Sequence, residues 1–171
     1  MVLLIVFAGS LLSGYRQPGA AMSTAADACA LLTSAEIESI LGESVKERRP
    51  GTQAAGGLLT EQCFFATSSS RSVSLTLTRR SGAGRSAPTP REYWRTQFHG
   101  SEHARKPELE SRARPISGVG EEAYWTGNRL AGALYVLKEE AFLRISVGGL
   151  NDERARIAAA KALALAAVTR F

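Results

Sequence analysis

Hydrophobic and hydroxyl positions alternate strictly along Ser72-Val-Ser-Leu-Thr-Leu-Thr78, so Val73, Leu75 and Leu77 share one face of a strand and polar groups share the other. The same period of two recurs from Ala141 to Val147, where Leu143, Ile145 and Val147 point one way and Phe142, Arg144 and Ser146 the other. Leu130 to Leu137 pairs with that segment as a hairpin whose solvated tip is Glu139-Glu140. Val119 to Trp125 ends in a strand and turns at Gly127-Asn128. Glu61 to Ala66 is short and aromatic, and joins the 72–78 strand through Ser68 to Arg71 as an antiparallel hairpin.

Helical spacing governs three other segments. Leu31 to Gly42 has Ile37, Ile40 and Leu41 on one face, a capping box at Thr33 and Glu36, and a left-handed stop at Gly42. Arg91 to His99 follows Thr89 as cap and Pro90 in the first turn, places Trp94 and Phe98 four residues apart on one face, and ends at Gly100. After Gly148-Gly149, Asn151 is expected to cap a closing helix with Asp152 and Glu153 at its positive end and an apolar stripe of Ile157, Ala164, Leu165 and Val168. Residues 49–58 have loop composition, and residues 80–90 have no hydrophobic pattern and read as a mobile loop. The sum is an α+β fold, an antiparallel sheet with helices to one side. A chain of 171 residues carries one such core, so 26–171 is expected to form a single domain. Only 7% of residues are aromatic, which points to a mainly aliphatic interior.

The segment before that domain changes the picture of where the chain works. Met1 to Leu12 is an apolar run of signal-peptide length, short of the roughly 20 residues a spanning helix needs. Small residues follow, with a cleavage site expected near Ala20 to Ala25, so 1–25 reads as signal peptide and linker and the mature chain as periplasmic or extracellular. No Lys or Arg precedes the run, and a mis-chosen start or a buried N-terminal strand is the alternative. Ala26-Asp27-Ala28 does not suit a lipid-anchor motif before Cys29. In an oxidising compartment the two cysteines, Cys29 and Cys63, most simply form one bridge, the alternative being two buried thiols in a cytoplasmic protein.

The net charge of +5 is unevenly distributed: residues 71–114 hold ten Lys or Arg against four acids, and residues 22–70 three against six. No stacking aromatics interleave those arginines in a nucleic-acid module, so a solvated loop region or attraction to an anionic envelope polymer remains. Candidate chemistry is thin. His99 and His103 have zinc spacing but are separated by Gly100 and lack the metalloprotease acid, so no metal or cofactor is expected. No Gly-x-Ser-x-Gly elbow occurs, Gly118-Val-Gly120 suits a tight turn better than a phosphate cradle, and the adjacent acids Glu121-Glu122 are expected on opposite faces of a strand. No catalytic residues are assigned. Tyr93, Trp94, Arg95, Tyr124 and Trp125 are the candidate binding surface, since aromatics and Arg dominate hot spots, with core packing as the alternative.

Several short stretches together resemble the exported actinobacterial-type proteins of the DUF3558 and LpqN-like group, many of them lipoproteins of unknown function. They are Cys29-Ala-Leu-Leu-Thr-Ser-Ala-Glu-Ile37 with Leu41-Gly42, Cys63-Phe64, Gly118-Val-Gly-Glu-Glu-Ala-Tyr124, Leu134-Tyr-Val136, Ile145-Ser-Val-Gly148 and the Ala-rich terminal helix. The resemblance implies a PsbP or Mog1-like sandwich, an antiparallel sheet between helices, and brings no catalytic residues. Expected function is therefore a non-enzymatic exported module that binds an envelope partner protein or a small apolar ligand. The alternatives are an envelope hydrolase or pseudo-enzyme, and an electrostatic binder of anionic polymer.

Overall fold

The computed structural model describes residues 27–82, 87–100 and 113–171; the expected leader and His103 lie outside them. A single 3₁₀ turn at Ala28–Ala30 leads into α1 (Ser34–Leu41), β1 (Val45–Ala55), β2 (Leu58–Thr67), β3 (Ser72–Arg80), α2 (Pro90–Phe98), β4 (Arg114–Pro115), β5 (Glu122–Gly127), β6 (Gly132–Lys138), β7 (Ala141–Gly148) and α3 (Glu153–Ala167). The strands make one antiparallel sheet in the order β1-β2-β3-β7-β6-β5-β4, which places the α+β class beyond the sequence pattern alone.

The period of two sorts the sheet into two unlike faces. On the first, Cys63, Phe65, Val73, Leu75, Leu77, Trp125, Leu134, Val136, Leu143 and Ile145 are fully buried beneath α1, α3 and the 3₁₀ turn. On the second, Trp94 and Phe98 of α2 pack on Leu137 and Phe142, with Tyr124 and Tyr135 at the margin. Helices therefore lie on both faces of the sheet rather than on one. The reason is that strands β5 to β7 carry large apolar or aromatic groups on both sides, and each side needs cover.

Residues 49–58 are not a loop. Most of them belong to β1, an eleven-residue edge strand, and the Ala55-Gly56-Gly57-Leu58 turn returns it into β2. An edge strand tolerates Pro50 because half of its backbone amides have no neighbour to serve. Gly56 and Gly57, with φ of 57° and 80°, supply the left-handed pair that a two-residue hairpin turn demands. Composition alone had suggested irregular chain here because nearly every β1 residue is exposed, leaving no alternation to read.

The first two helix starts match their sequence signals. Thr33 Oγ1 accepts from the Glu36 amide at 3.2 Å while Glu36 Oε2 accepts from the Thr33 amide at 2.8 Å, and Gly42 closes α1 with φ of 73°. Thr89 and Glu92 make the same box at the start of α2. At α3 the cap is Asp152, one residue beyond Asn151, and its Oδ2 accepts from the Ala155 amide at 2.8 Å. The buried stripe differs too. It runs through Ala159, Ala160, Leu163, Ala164 and Ala167, while Leu165 is 45% exposed. The small side chains bring α3 close to β6 and β7. Arg156, 3% exposed, belongs to the same stripe and donates to the carbonyls of Leu150 at 2.6 Å and Asn128 at 2.9 Å, joining the β5-β6 turn to the β7-α3 loop at one end of the sheet.

Two clamps lock the first face. Cys29 and Cys63 form a disulfide that ties the 3₁₀ turn to β2 inside the core. Arg170, just past α3, donates to Glu36 Oε1 at 2.6 Å and to the Leu31 carbonyl at 2.9 Å, holding α3 to α1. Hydrogen bonds from Arg170 and then from the Thr33 amide hold the Glu36 carboxyl at about 2. Because that value lies below the ordinary 4.5, the stabilisation is complete above pH 4.5 and disappears as pH falls toward 2. Replacing Glu36 with Gln is expected to lower the melting temperature near neutral pH and to flatten its decline across that acid window, read from thermal unfolding at stepped pH. Reducing the bridge, or replacing both cysteines with Ala, is expected to destabilise the fold by about 3 to 4 kcal/mol, measured by urea denaturation with and without reductant.

Candidate functional site

The second face is half covered. Helix α2 lies over one part of it, and between the helix and the β1-β2 hairpin runs a groove of about 440 Å³. Its helical wall is Tyr93, Trp94, Gln97 and Phe98, its far wall Gln53, Ala55 and Leu58, and its floor Thr60, Thr78, Phe142, Tyr135 and Arg144. The volume falls in the range of small-molecule sites, roughly 300 to 1,000 Å³.

Strand register explains the mixed lining. Thr60 faces Thr78, which faces Phe142, and one rung further Gln62 faces Thr76, Arg144 and then Tyr135. Hydroxyls therefore come from β2 and β3, and rings from β6 and β7. Thr60 and Thr78 lie 3.3 Å apart through their hydroxyls, and Arg144 Nε donates to the Tyr135 hydroxyl at 3.2 Å. On the helical side Tyr93 stacks on Phe142 with ring centroids 5.8 Å apart, while Phe98 stacks on Tyr124 at 4.8 Å. A shallower trough continues past Arg144 along Ser74, Ser146 and Ser72 toward Gly132 and Gly148.

Helix α2 is attached by polar contacts as well as by Trp94 and Phe98. Arg91 donates to Glu121 Oε2 at 2.8 Å and to the Glu139 carbonyl at 2.6 Å. Glu122 Oε2 accepts from Trp94 Nε1 at 3.1 Å and lies 2.6 Å from His99 Nε2. The adjacent acids were expected on opposite faces; instead both grip α2, because Glu121 precedes the strand and does not follow its pleat. Burial opposes ionisation of Glu122, but hydrogen bonds from His99 and Trp94 outweigh it and hold the carboxyl below its usual range. Glu121 is lowered as well, by the Arg91 hydrogen bond first and then by the Glu139 amide.

The five candidate binding residues do not form one surface. Tyr93, 41% exposed, and Trp94, 1% exposed, line the groove. Tyr124 stands under α2 against Phe98, and Arg95 is exposed on the helix outside the groove. Trp125 is fully buried on the opposite face, where its Nε1 donates to Glu153 at 3.1 Å and its ring fills the space that any β-carbon on Gly132 would occupy. Adjacency carried that outcome from the start: neighbours in a strand, Tyr124 and Trp125 must diverge. Arg144, Thr60, Thr78 and Gln53 line the groove without belonging to the candidate set, and the sequence signal for Arg144 is its place in the polar set of β7.

Gly118 and Gly120, with φ of 76° and 61°, form a tight turn ahead of β5. Among the described residues no three His, Cys, Asp or Glu side chains are grouped to hold a metal ion, and no helix is long and apolar enough to cross a membrane. No family model, curated protein or solved structure gives a significant match to the chain.

The polar attachment of α2 is testable by itself. Glu122→Ala removes the acceptor shared by Trp94 and His99, and the amides of α2 are then expected to exchange with deuterium about tenfold faster, while those of β3 and β7 keep their rates. Hydrogen exchange followed by mass spectrometry reads both.

Proposed function

We propose that this chain is an exported, non-enzymatic binding module, of the kind its resemblance to the DUF3558 and LpqN-like group implies, and that its ligand is a small, largely apolar molecule held in the groove beside α2. The observation that carries this reading is the groove itself: a concave site with an aromatic wall, a few convergent polar groups and a volume suited to a small molecule. Its concavity favours a small ligand over a flat protein partner. The buried disulfide accords with maturation in an oxidising compartment.

The alternatives draw less support. A hydrolase needs an acid or base beside bound substrate, yet His99 and Glu122 pair outside the groove lining and both are substantially exposed. A polyanion binder needs unpaired cations, whereas four of the six described arginines in residues 71–114, Arg71, Arg79, Arg91 and Arg114, each face a carboxylate, those of Glu43, Glu61, Glu121 and Glu153.

Titration with the neutral apolar dye Nile red is expected to show saturable, one-to-one binding. Gln97→Trp, which fills the groove from its helical wall, should weaken that binding about tenfold, near 1.4 kcal/mol. Dye uptake that never saturates, or that ignores the Gln97 substitution, would remove the reading.

A further inference from the structure

Twelve residues line the groove and eleven line the trough that continues it, and Arg144 is the one charged residue in either lining and the one residue common to both. Arg49, Arg71, Arg79, Arg91, Arg114 and Arg170 each meet an acid within ion-pair distance, whereas among the described residues no carboxylate does so for Arg144. What holds it is Tyr135: Nε donates to the hydroxyl at 3.2 Å, and the guanidinium lies 5.8 Å from the ring centroid. No described residue accepts from its two terminal nitrogens, so that edge of the fork is open. Thr76 is its cross-strand neighbour on one side and Tyr135 on the other, and Ser74 and Ser146 pair one rung away.

We propose that Arg144 anchors an anionic headgroup and that the groove takes a monocarboxylate with an apolar body. A planar guanidinium edge and a carboxylate match as two parallel N–H···O bonds, and neighbouring hydroxyls add donors. One cation balances one negative charge; a phosphate monoester, close to dianionic at neutral pH, would leave an excess charge in a half-enclosed site. With the carboxylate on Arg144, the apolar body lies between Phe142, Tyr93 and Phe98, where rings rather than hydroxyls form the lining. The headgroup thus sits at the junction of groove and trough, and the tail runs under α2.

This inference rests on the groove being a ligand site, and the experiment separates the two. Octanoate and octanol, equal in chain length and different in charge, are titrated by calorimetry into the full-length mature protein and into Arg144→Gln. The expected result is that the native protein binds the acid roughly ten- to a hundredfold tighter than the alcohol. Arg144→Gln should lower acid affinity to the alcohol's level and leave the alcohol unchanged. Equal affinity of the native protein for both compounds would overturn the headgroup assignment while leaving the groove reading in place. Loss of alcohol binding together with acid binding in the variant would make Arg144 a structural residue and overturn it equally. Binding of neither compound to the native protein would sink both readings.

Discussion

A nine-residue helix is about 13.5 Å long, and seven strands spaced about 4.8 Å apart make a sheet about 29 Å across, so α2 can cover only part of the face on which it sits. The first face has no such shortfall, because a fifteen-residue helix, an eight-residue helix and a disulfide-tethered turn share it. Much of the uncovered part of the second face is polar: β3 presents Ser72, Ser74, Thr76 and Thr78 there, and β2 presents Thr60 and Gln62 beside Phe64. That polar lining keeps the exposed floor from becoming an aggregation-prone apolar patch. The groove is thus the consequence of a mismatch between helix length and sheet width, made soluble by Thr and Ser.

Floor and wall are held by different physics. The floor strands bury Val73, Leu75, Leu77, Leu143 and Ile145 on their far side, so they move only if the main core moves. The wall rests on Trp94 and Phe98 together with the hydrogen bonds and ion pairs of Arg91, His99, Glu121 and Glu122 at the exposed rim. Interactions at a solvated rim are individually modest. Rigid strands with a lightly attached helix are an arrangement in which pocket width can adjust without cost to the core.

Much of the fold was legible because its signals are local. The alternation in β3 and β7, the capping boxes at Thr33 and, by position, at Thr89, and the left-handed stop at Gly42 each need only a few neighbouring residues. Failures came where local signal and tertiary context separate. Strand β1 has no buried alternation to read, so Pro50 and Gly51 dominated its pattern, and pairing with β2 overrode them. The buried stripe of α3 differs from the apolar pattern because alanines contribute little periodicity while packing closely. Export and the family resemblance bear on residues or relationships that the fold leaves untouched. The candidate site was half legible: period two separated Arg144 from Leu143 and Ile145, but only the sheet order sets β7 between β3 and β6 and brings Arg144 beside Thr76 and Tyr135.

A partly buried guanidinium without a counterion is costly to hold, and the surrounding sheet would gain stability from an apolar residue at that rung. Five of the six arginines that meet acids, Arg71, Arg79, Arg91, Arg114 and Arg170, are clamps, each joining elements that the chain connects only distantly or through a turn; the sixth, Arg49, pairs with Glu47 on its own strand. Arg144 joins nothing beyond its own hairpin: its partner Tyr135 is already fixed by β6 pairing with β7. A structural account therefore gives this residue no task matching its cost, whereas a site that must hold an anion in a half-enclosed groove requires an open cationic fork fixed on a rigid strand. On the proposed reading, position, partner and charge at Arg144 all serve one bound anion.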